Sequence, residues 1–490
     1  MTYATTLGQL KATAYSTKTI KQELRDNLID RLKKRQKVFE GIIAYDNTVI
    51  PDIERALLSR HNILLLGLRG QAKTRLARLM THLLDEYIPI VRGSEINDDP
   101  LRPLSRFAKD LIAEAGDDTP IDWLHRSERY SEKLATPDVS VADLIGDADP
   151  IKAANLRLPY SDERVIHFGL VPRSNRSIFV INELPDLQAR IQVALFNILQ
   201  EGDIQIRGFK LRLPLDIQFV FTANPEDYTN RGSIVTPLKD RIESQILTHY
   251  PPTIALSRHI TQQEARIGAD RAQHIGIPDL ARDMVEQIAF EARNSEYVDC
   301  KSGVSARLTI SAFENLVSAA ERRMILNDEE SGTVRVGDFW GIVPAVTGKI
   351  ELVYEGEQEG AFIVAQNLLT QAIRTLFVQH FPEPDQSKRK KKAAQAAVSP
   401  YQATVDWFGQ GYTLDLLGDI SQAAYANALH SVVGLAQLVE GLYPKVSATD
   451  KLFLMEFVLH GLAAHSLIGK SLVQTGFEFK DLLGSMLGNL

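Results

Sequence analysis

Eight consecutive residues, Gly67-Leu68-Arg69-Gly70-Gln71-Ala72-Lys73-Thr74, carry the densest chemistry in the chain. They follow the apolar run ILLLG (63–67) and lead into RLARLM, whose apolar residues fall at helical spacing. The order approximates G-x-x-x-x-G-K-[ST], a loop whose backbone N–H groups cradle nucleotide phosphates. Lys73 would reach the β and γ phosphates of ATP. Thr74 would offer its hydroxyl to Mg²⁺, and the start of the helix would favour the anion. Gly67, Gly70, Gln71, Ala72 and Arg75 complete the candidate nucleotide-binding set. Ala72 stands where the pattern has its second glycine, and its methyl asks the loop to keep φ negative there. A plain strand–turn–helix with a chance Lys-Thr is the alternative.

About 110 residues downstream, SIFVINELPDL (177–187) raises the matching question. Four apolar residues, Ile178 to Ile181, end in Asn182 and Glu183, where a nucleotide-hydrolysing site normally carries two acids. Glu183 sits where a water-activating carboxylate belongs. Asn182 can still offer an amide oxygen to Mg²⁺, directly or through water, but lacks one negative charge. A buried strand with a polar end is the plainer reading of this segment. The strand IQFVFTAN then brings Asn224 to the sheet edge, where an amide would bridge water and γ-phosphate. Arg241, in TPLKDRIESQI, would reach a neighbouring subunit's phosphate. Arg307, in SGVSARLTISAFENL, would make a second phosphate contact from a helical domain.

These residues need a scaffold, and the pattern of runs supplies one. Residues 1–50 read as a helical N-terminal segment. Over 51–250, the apolar runs ILLLG, IPIVRG, IFVIN and IQFVFTAN alternate with helical segments, which predicts βαβ units and a mainly parallel sheet. LQARIQVALFNILQEGD reads as a helix, and DIQIRGFKLRLP as a hairpin around Arg207-Gly208. Residues 251–375 read as a helical lid domain, 376–400 as a basic linker containing SKRKKK, and 401–490 as an all-helical tail. The predicted fold class is an α/β αβα sandwich followed by helical parts.

The totals narrow the function classes. The chain has 490 residues, 44% hydrophobic and 24% charged, room for two or three soluble domains. A net charge of -7 speaks against bulk nucleic-acid binding. One cysteine, Cys300, excludes an intramolecular disulfide and a cysteine-rich zinc site. The polar N-terminus lacks an apolar signal core, and no uninterrupted apolar run reaches about 18 residues, so a cytoplasmic protein without a membrane span is expected. His125, His167 and His249 show no paired spacing for zinc. Asp143, Asp147 and Asp149 in VADLIGDADP lack the glycine and final glutamate of a calcium loop.

Over about residues 35–350 the chain resembles the AAA+ ATPases of the MoxR and magnesium-chelatase I-subunit clade. GLRGQAKT is similar to the MoxR-type loop, in which alanine before the lysine is usual. TPDVSVADLIGD (136–147) resembles that clade's entry to an insertion within the second helix. FGLVPRSNRSIFVINELPDLQARIQVALFNILQEGDIQI resembles the chelatase-type acidic stretch, and TANPEDYTNRGSIVTPLKDRIESQI the sensor and arginine-finger region. The resemblance implies that Lys73 and Thr74 bind nucleotide and Mg²⁺ and that Glu183 is the catalytic base. It further implies that Asn224 is the first sensor, Arg241 the finger and Arg307 the second sensor. It implies a homo-oligomeric, hexameric ring that remodels a protein client, often with a partner bearing a von Willebrand A domain. The segment 94–135 is longer than the family pattern, and the linker and tail have no counterpart in it.

Two other classes stay open. A nucleotide-dependent scaffold would bind ATP and hydrolyse it slowly, with Asn182 as the reason. A transcription activator of the enhancer-binding type would carry a GAFTGA-like loop, which the chain lacks.

Overall fold

The computed structural model describes residues 3–160, 162–201, 203–206, 212–225, 234–268, 273–384, 399–473 and 476–482. The chain divides into two compact units, Met1–Tyr250 and Pro251–Leu490. Residues 1–50 therefore fold with the sheet unit, and 251–375 shares a unit with the tail.

The first unit is built on five parallel strands: β1 (Ile63–Leu66), β2 (Tyr130–Leu134), β3 (Ser177–Asn182), β4 (Ile217–Ala223) and β5 (Ser244–Leu247). Their order is β5-β1-β4-β3-β2, so β1, β4 and β3 lie inside and are apolar along almost their whole length. Alternate residues serve opposite faces. Ile63, Leu65, Ile178, Val180 and Val220 meet one helical layer, with Ile20 and Leu24 of α1 (Ile20–Lys33), Ile53 of α2 (Val49–Leu58) and Leu76 of α3 (Lys73–Leu79). Leu64, Phe179, Ile181 and Phe221 meet Ile191 and Leu195 of α4 (Ala189–Glu201) and Leu238 of α5 (Thr236–Arg241). This is the expected αβα sandwich.

The observed strands differ from the expected ones at three places. IPIVRG lies outside the main sheet: Tyr87–Val91 pairs antiparallel with Ile121–His125 as a separate ribbon. The parallel strand in that part of the chain is β2, YSEKL, and the fifth is β5, SQIL within TPLKDRIESQI. Both are edge strands, where one side faces solvent and polar residues are tolerated, so neither stands out as an apolar run.

The N-terminal helix is locked to the sheet by charge as well as packing. Thr19 caps α1, and Glu23 accepts two bonds from the Arg129 guanidinium, at 2.7 and 2.6 Å. Arg129, which immediately precedes β2, is 1% exposed and also donates to the Arg176 carbonyl at 3.0 Å. Within VADLIGDADP, Asp143 completes a capping box with the N-cap Ser140, and Asp149 caps the helix Pro150–Leu156, so two of the three acids serve helix starts. Gly146–Ala148 pairs with Ile166–Phe168, a small ribbon inserted ahead of β3. Asp203–Gln205 and Arg212–Pro214 form the expected hairpin, whose Arg207-Gly208 turn lies outside the described residues.

The second unit has one core, shared by α6 (Asp279–Asn294), α7 (Arg307–Leu326), α8 (Ala361–His380) and α9 (Ala448–Ala464). α8 is long and apolar enough to cross a membrane by length and composition, yet Leu368, Leu376 and Phe377 are buried in this core. The tail is mainly helical but also carries strands β6 (Leu414–Leu417), β7 (Gly469–Val473) and β8 (Gly476–Lys480), antiparallel in the order β6-β8-β7. LDLL and GFEFK alternate with period two, which favours strand over helix, and Phe477 and Phe479 point inward. Buried Glu456 of α9 accepts from the Val336 and Gly337 amides at 2.7 and 2.9 Å and from the Tyr425 hydroxyl at 2.7 Å. Lid and tail segments are thereby joined. SKRKKK lies outside the described residues.

Candidate functional site

β1 delivers the chain to the loop 67–72 at the carboxyl edge of the sheet, and α3 starts at Lys73. Gly70 has φ 75°, and Ala72 has φ 57° and ψ 18°. The expectation of a negative φ at Ala72 is overturned. Its carbonyl accepts the first helical bond, from the Leu76 amide at 2.9 Å, while the chain turns out of the strand. That turn takes the left-handed conformation, which an L-residue with a Cβ adopts at a cost of roughly 1–2 kcal/mol. Gly67 meets a different demand: a Cβ there would collide with the Thr248 hydroxyl and the Gln71 side chain.

Side chains that the sequence did not single out brace this loop. The Thr248 hydroxyl, just past β5, donates to Gln71 Oε1 at 2.6 Å, so the buried Gln71 side chain turns inward and holds the loop. Tyr45 donates to the Gln71 and His249 carbonyls at 3.0 and 2.8 Å, and Tyr250 to the Arg69 carbonyl at 2.9 Å. Burial pushes the Tyr45 phenol up to about 12, which keeps it a proton donor.

Five predicted residues converge in one hydrogen-bonded network. The buried Lys73 ammonium donates to Asn224 Oδ1 at 2.6 Å, to the Leu68 carbonyl at 3.1 Å and to the Gly67 carbonyl. The Asn224 amide donates to Glu183 Oε2 at 2.8 Å, so one side chain links the lysine to the carboxylate. Beside them, the Thr74 hydroxyl donates to Asn182 Oδ1 at 3.3 Å. Glu183 follows β3 with φ 56° and ψ 51°, a second left-handed non-glycine residue at the same sheet edge. Such conformations cost on the order of 1–3 kcal/mol and cluster at functional sites. Thr222 of β4, 1% exposed and not among the expected residues, belongs to the same network. Its hydroxyl accepts the Glu183 amide and donates to Asn182 Oδ1, both at 3.2 Å. The available signal was a hydroxyl in an otherwise apolar strand, IQFVFTA.

The other predicted residues are Arg75, Arg241 and Arg307. Arg75 is exposed on α3. Arg241, the last residue of α5, pairs with Asp240, and its guanidinium sits 5.0 Å from the Phe196 ring centroid. Arg307 opens α7 in the second unit and is exposed.

No family model matches the chain, and no curated protein does. Solved structures do match. NtrX from Brucella abortus is 14% identical, with 71% of this chain and 66% of that one covered and a TM-score of 0.37. A complex of the magnesium chelatase subunits BchI and BchD is 17% identical, with 65% and 98% covered and a TM-score of 0.33. The Thermotoga maritima RuvB Holliday junction branch migration motor is 13% identical, with 66% and 74% covered and a TM-score of 0.33. At TM-scores below 0.5 these likenesses add nothing to the chemistry of the site.

Proposed function

We propose that this chain is an ATP-hydrolysing AAA+ protein of the MoxR and magnesium-chelatase type, working as an oligomeric ring on a protein partner. The observation that carries the reading is the network joining Lys73, Asn224 and Glu183 beside Thr74 and Asn182. Those groups fit MgATP. Lys73 and the glycine-bearing loop suit a polyphosphate, and the neutral oxygens of Thr74 and Asn182 suit a hard cation. Bound there, Mg²⁺ would neutralise charge on the phosphate oxygens.

The chain's own residues would do the rest. Lys73 would exchange its carbonyl and amide acceptors for phosphate oxygens. Glu183 would take the proton of the attacking water, held in place by the Asn224 amide. Arg241 would act on a neighbouring subunit's phosphate and Arg307 as a second contact, each contributing positive charge in the transition state. Asn182 brings one negative charge fewer to the metal than an aspartate would, which predicts slow turnover. It also favours the second reading, a nucleotide-dependent scaffold.

Nucleotide binding by calorimetry tests the site: the intact protein should bind ATP with Mg²⁺, and Lys73→Ala should lose at least tenfold in affinity. Equal affinities would remove the basis for the proposal. An ATP-dependent pull-down from native cells with Glu183→Gln tests the remodelling role. Recovery of a protein with a von Willebrand A domain supports it, and recovery of nucleic acid alone overturns it.

A further inference from the structure

Thr222 puts a hydroxyl where a strand buried on both faces ordinarily carries an apolar residue. β4 is buried along its full length, and Thr222 pairs in register with Leu65 of β1 at the centre of the sheet. A hydroxyl at such a site persists without penalty only if its polar atom is satisfied. Here it is satisfied twice, and both partners belong to the residues at the end of β3.

The direction of these bonds matters. The Glu183 amide can only donate, so at 3.2 Å the Thr222 oxygen is its acceptor. The Thr222 proton then points to Asn182 Oδ1, also 3.2 Å away. An asparagine amide has an oxygen end and an N–H₂ end of nearly equal size, and only the oxygen end can serve a cation. The Thr74 hydroxyl donates to the same Oδ1 at 3.3 Å, but once the Thr74 oxygen serves a cation, the Thr222 bond is the one that keeps the oxygen end of Asn182 turned to the site. An aspartate would need no such selection, because either of its oxygens serves.

We infer that Thr222 is a positioning residue for the metal side of the site: its hydroxyl holds the Asn182 amide oxygen-first, a requirement created by the amide at position 182. The inference rests on the MgATP reading above. Removing the bond frees the amide to rotate and offer N–H₂ to the cation. Loss of a partner that orients a metal ligand typically costs about 10- to 100-fold in metal affinity.

The test uses the full-length protein saturated with ADP and titrated with Mn²⁺, free metal being read by electron paramagnetic resonance. Thr222→Val should weaken Mn²⁺ binding about tenfold, and Thr222→Ser should bind as the unaltered protein does. In an Asn182→Asp background the same valine substitution should cost threefold or less. Should the valine variant not fold, Thr222→Ala carries the same comparison. Equal losses in the asparagine and aspartate backgrounds, or no loss in either, overturn the inference. A protein that binds neither ADP nor Mn²⁺ before any substitution overturns the MgATP reading, and this inference with it.

Discussion

Replacing Glu23 with glutamine should unfasten the N-terminal helix from the sheet. Glu23 and Arg129 form a two-bond ion pair at 2.7 and 2.6 Å, with side chains 6% and 1% exposed. Glu23 also accepts the Asp85 amide at 2.7 Å. Glutamine keeps the shape and one acceptor oxygen but turns an N–H₂ toward a guanidinium that has no route to water. Removing one partner of a buried pair costs about 3–5 kcal/mol. For a unit spanning Met1–Tyr250, an unfolding entropy of about 2.1 cal/mol/K per residue converts this into a Tm fall of roughly 6–10 °C. Scanning calorimetry of the full chain should show one transition falling by that amount. A double variant, Glu23→Leu with Arg129→Met, should recover part of the loss, since apolar replacement of a whole pair is often close to neutral. A fall below about 2 °C for Glu23→Gln would mean that the helix is not held by this pair.

Three further outcomes follow from particular residues. Ala72→Gly relieves a left-handed backbone worth roughly 1–2 kcal/mol and adds about 0.4–1 kcal/mol of chain entropy on unfolding, so stability should hold or rise by up to about 1.6 kcal/mol. A loss above 1 kcal/mol in denaturant titration would contradict the positive φ. Asn182→Asp should lower the Mg²⁺ concentration needed for nucleotide binding at least fivefold, since a unit charge about 4 Å from a cation contributes about 1 kcal/mol or more. An unchanged Mg²⁺ dependence would place the amide away from the metal. Burial raises the Asp216 carboxyl to about 6, while it accepts the Ile20 amide at 2.7 Å. The folded state therefore holds a proton that the unfolded chain releases between about pH 4 and pH 6. This group's stabilisation is present at low pH and lost as pH rises through 6, by no more than about 3 kcal/mol. Asp216→Asn should flatten that part of the Tm–pH curve, and an unaltered curve would assign the effect to other groups.

The candidate site was legible where its residues end apolar runs. ILLLG, SIFVIN and IQFVFTA are interior strands, so their apolar runs announced them and placed Lys73, Glu183 and Asn224 at their ends. β2 and β5 were not legible, because YSEKL and SQIL are edge strands with polar residues. IPIVRG misled for the opposite reason: it is apolar, but it packs in a side ribbon. Partners distant in sequence were also hidden. Glu23 and Arg129 are 106 residues apart, Tyr45 and His249 are 204 apart, and only the folded sheet brings them together. The backbone at Ala72 and Glu183 was hidden too, since neither residue type signals a positive φ.

Asn224 joins Lys73 to Glu183, and the proposal stands on that geometry being catalytic. The most direct measurement is steady-state ATP turnover by the purified full chain and by its Glu183→Gln variant, with nucleotide affinity recorded for both. The account predicts measurable turnover in the unaltered protein, at least a hundredfold loss in the variant, and similar affinities. Equal turnover in the two proteins would contradict it.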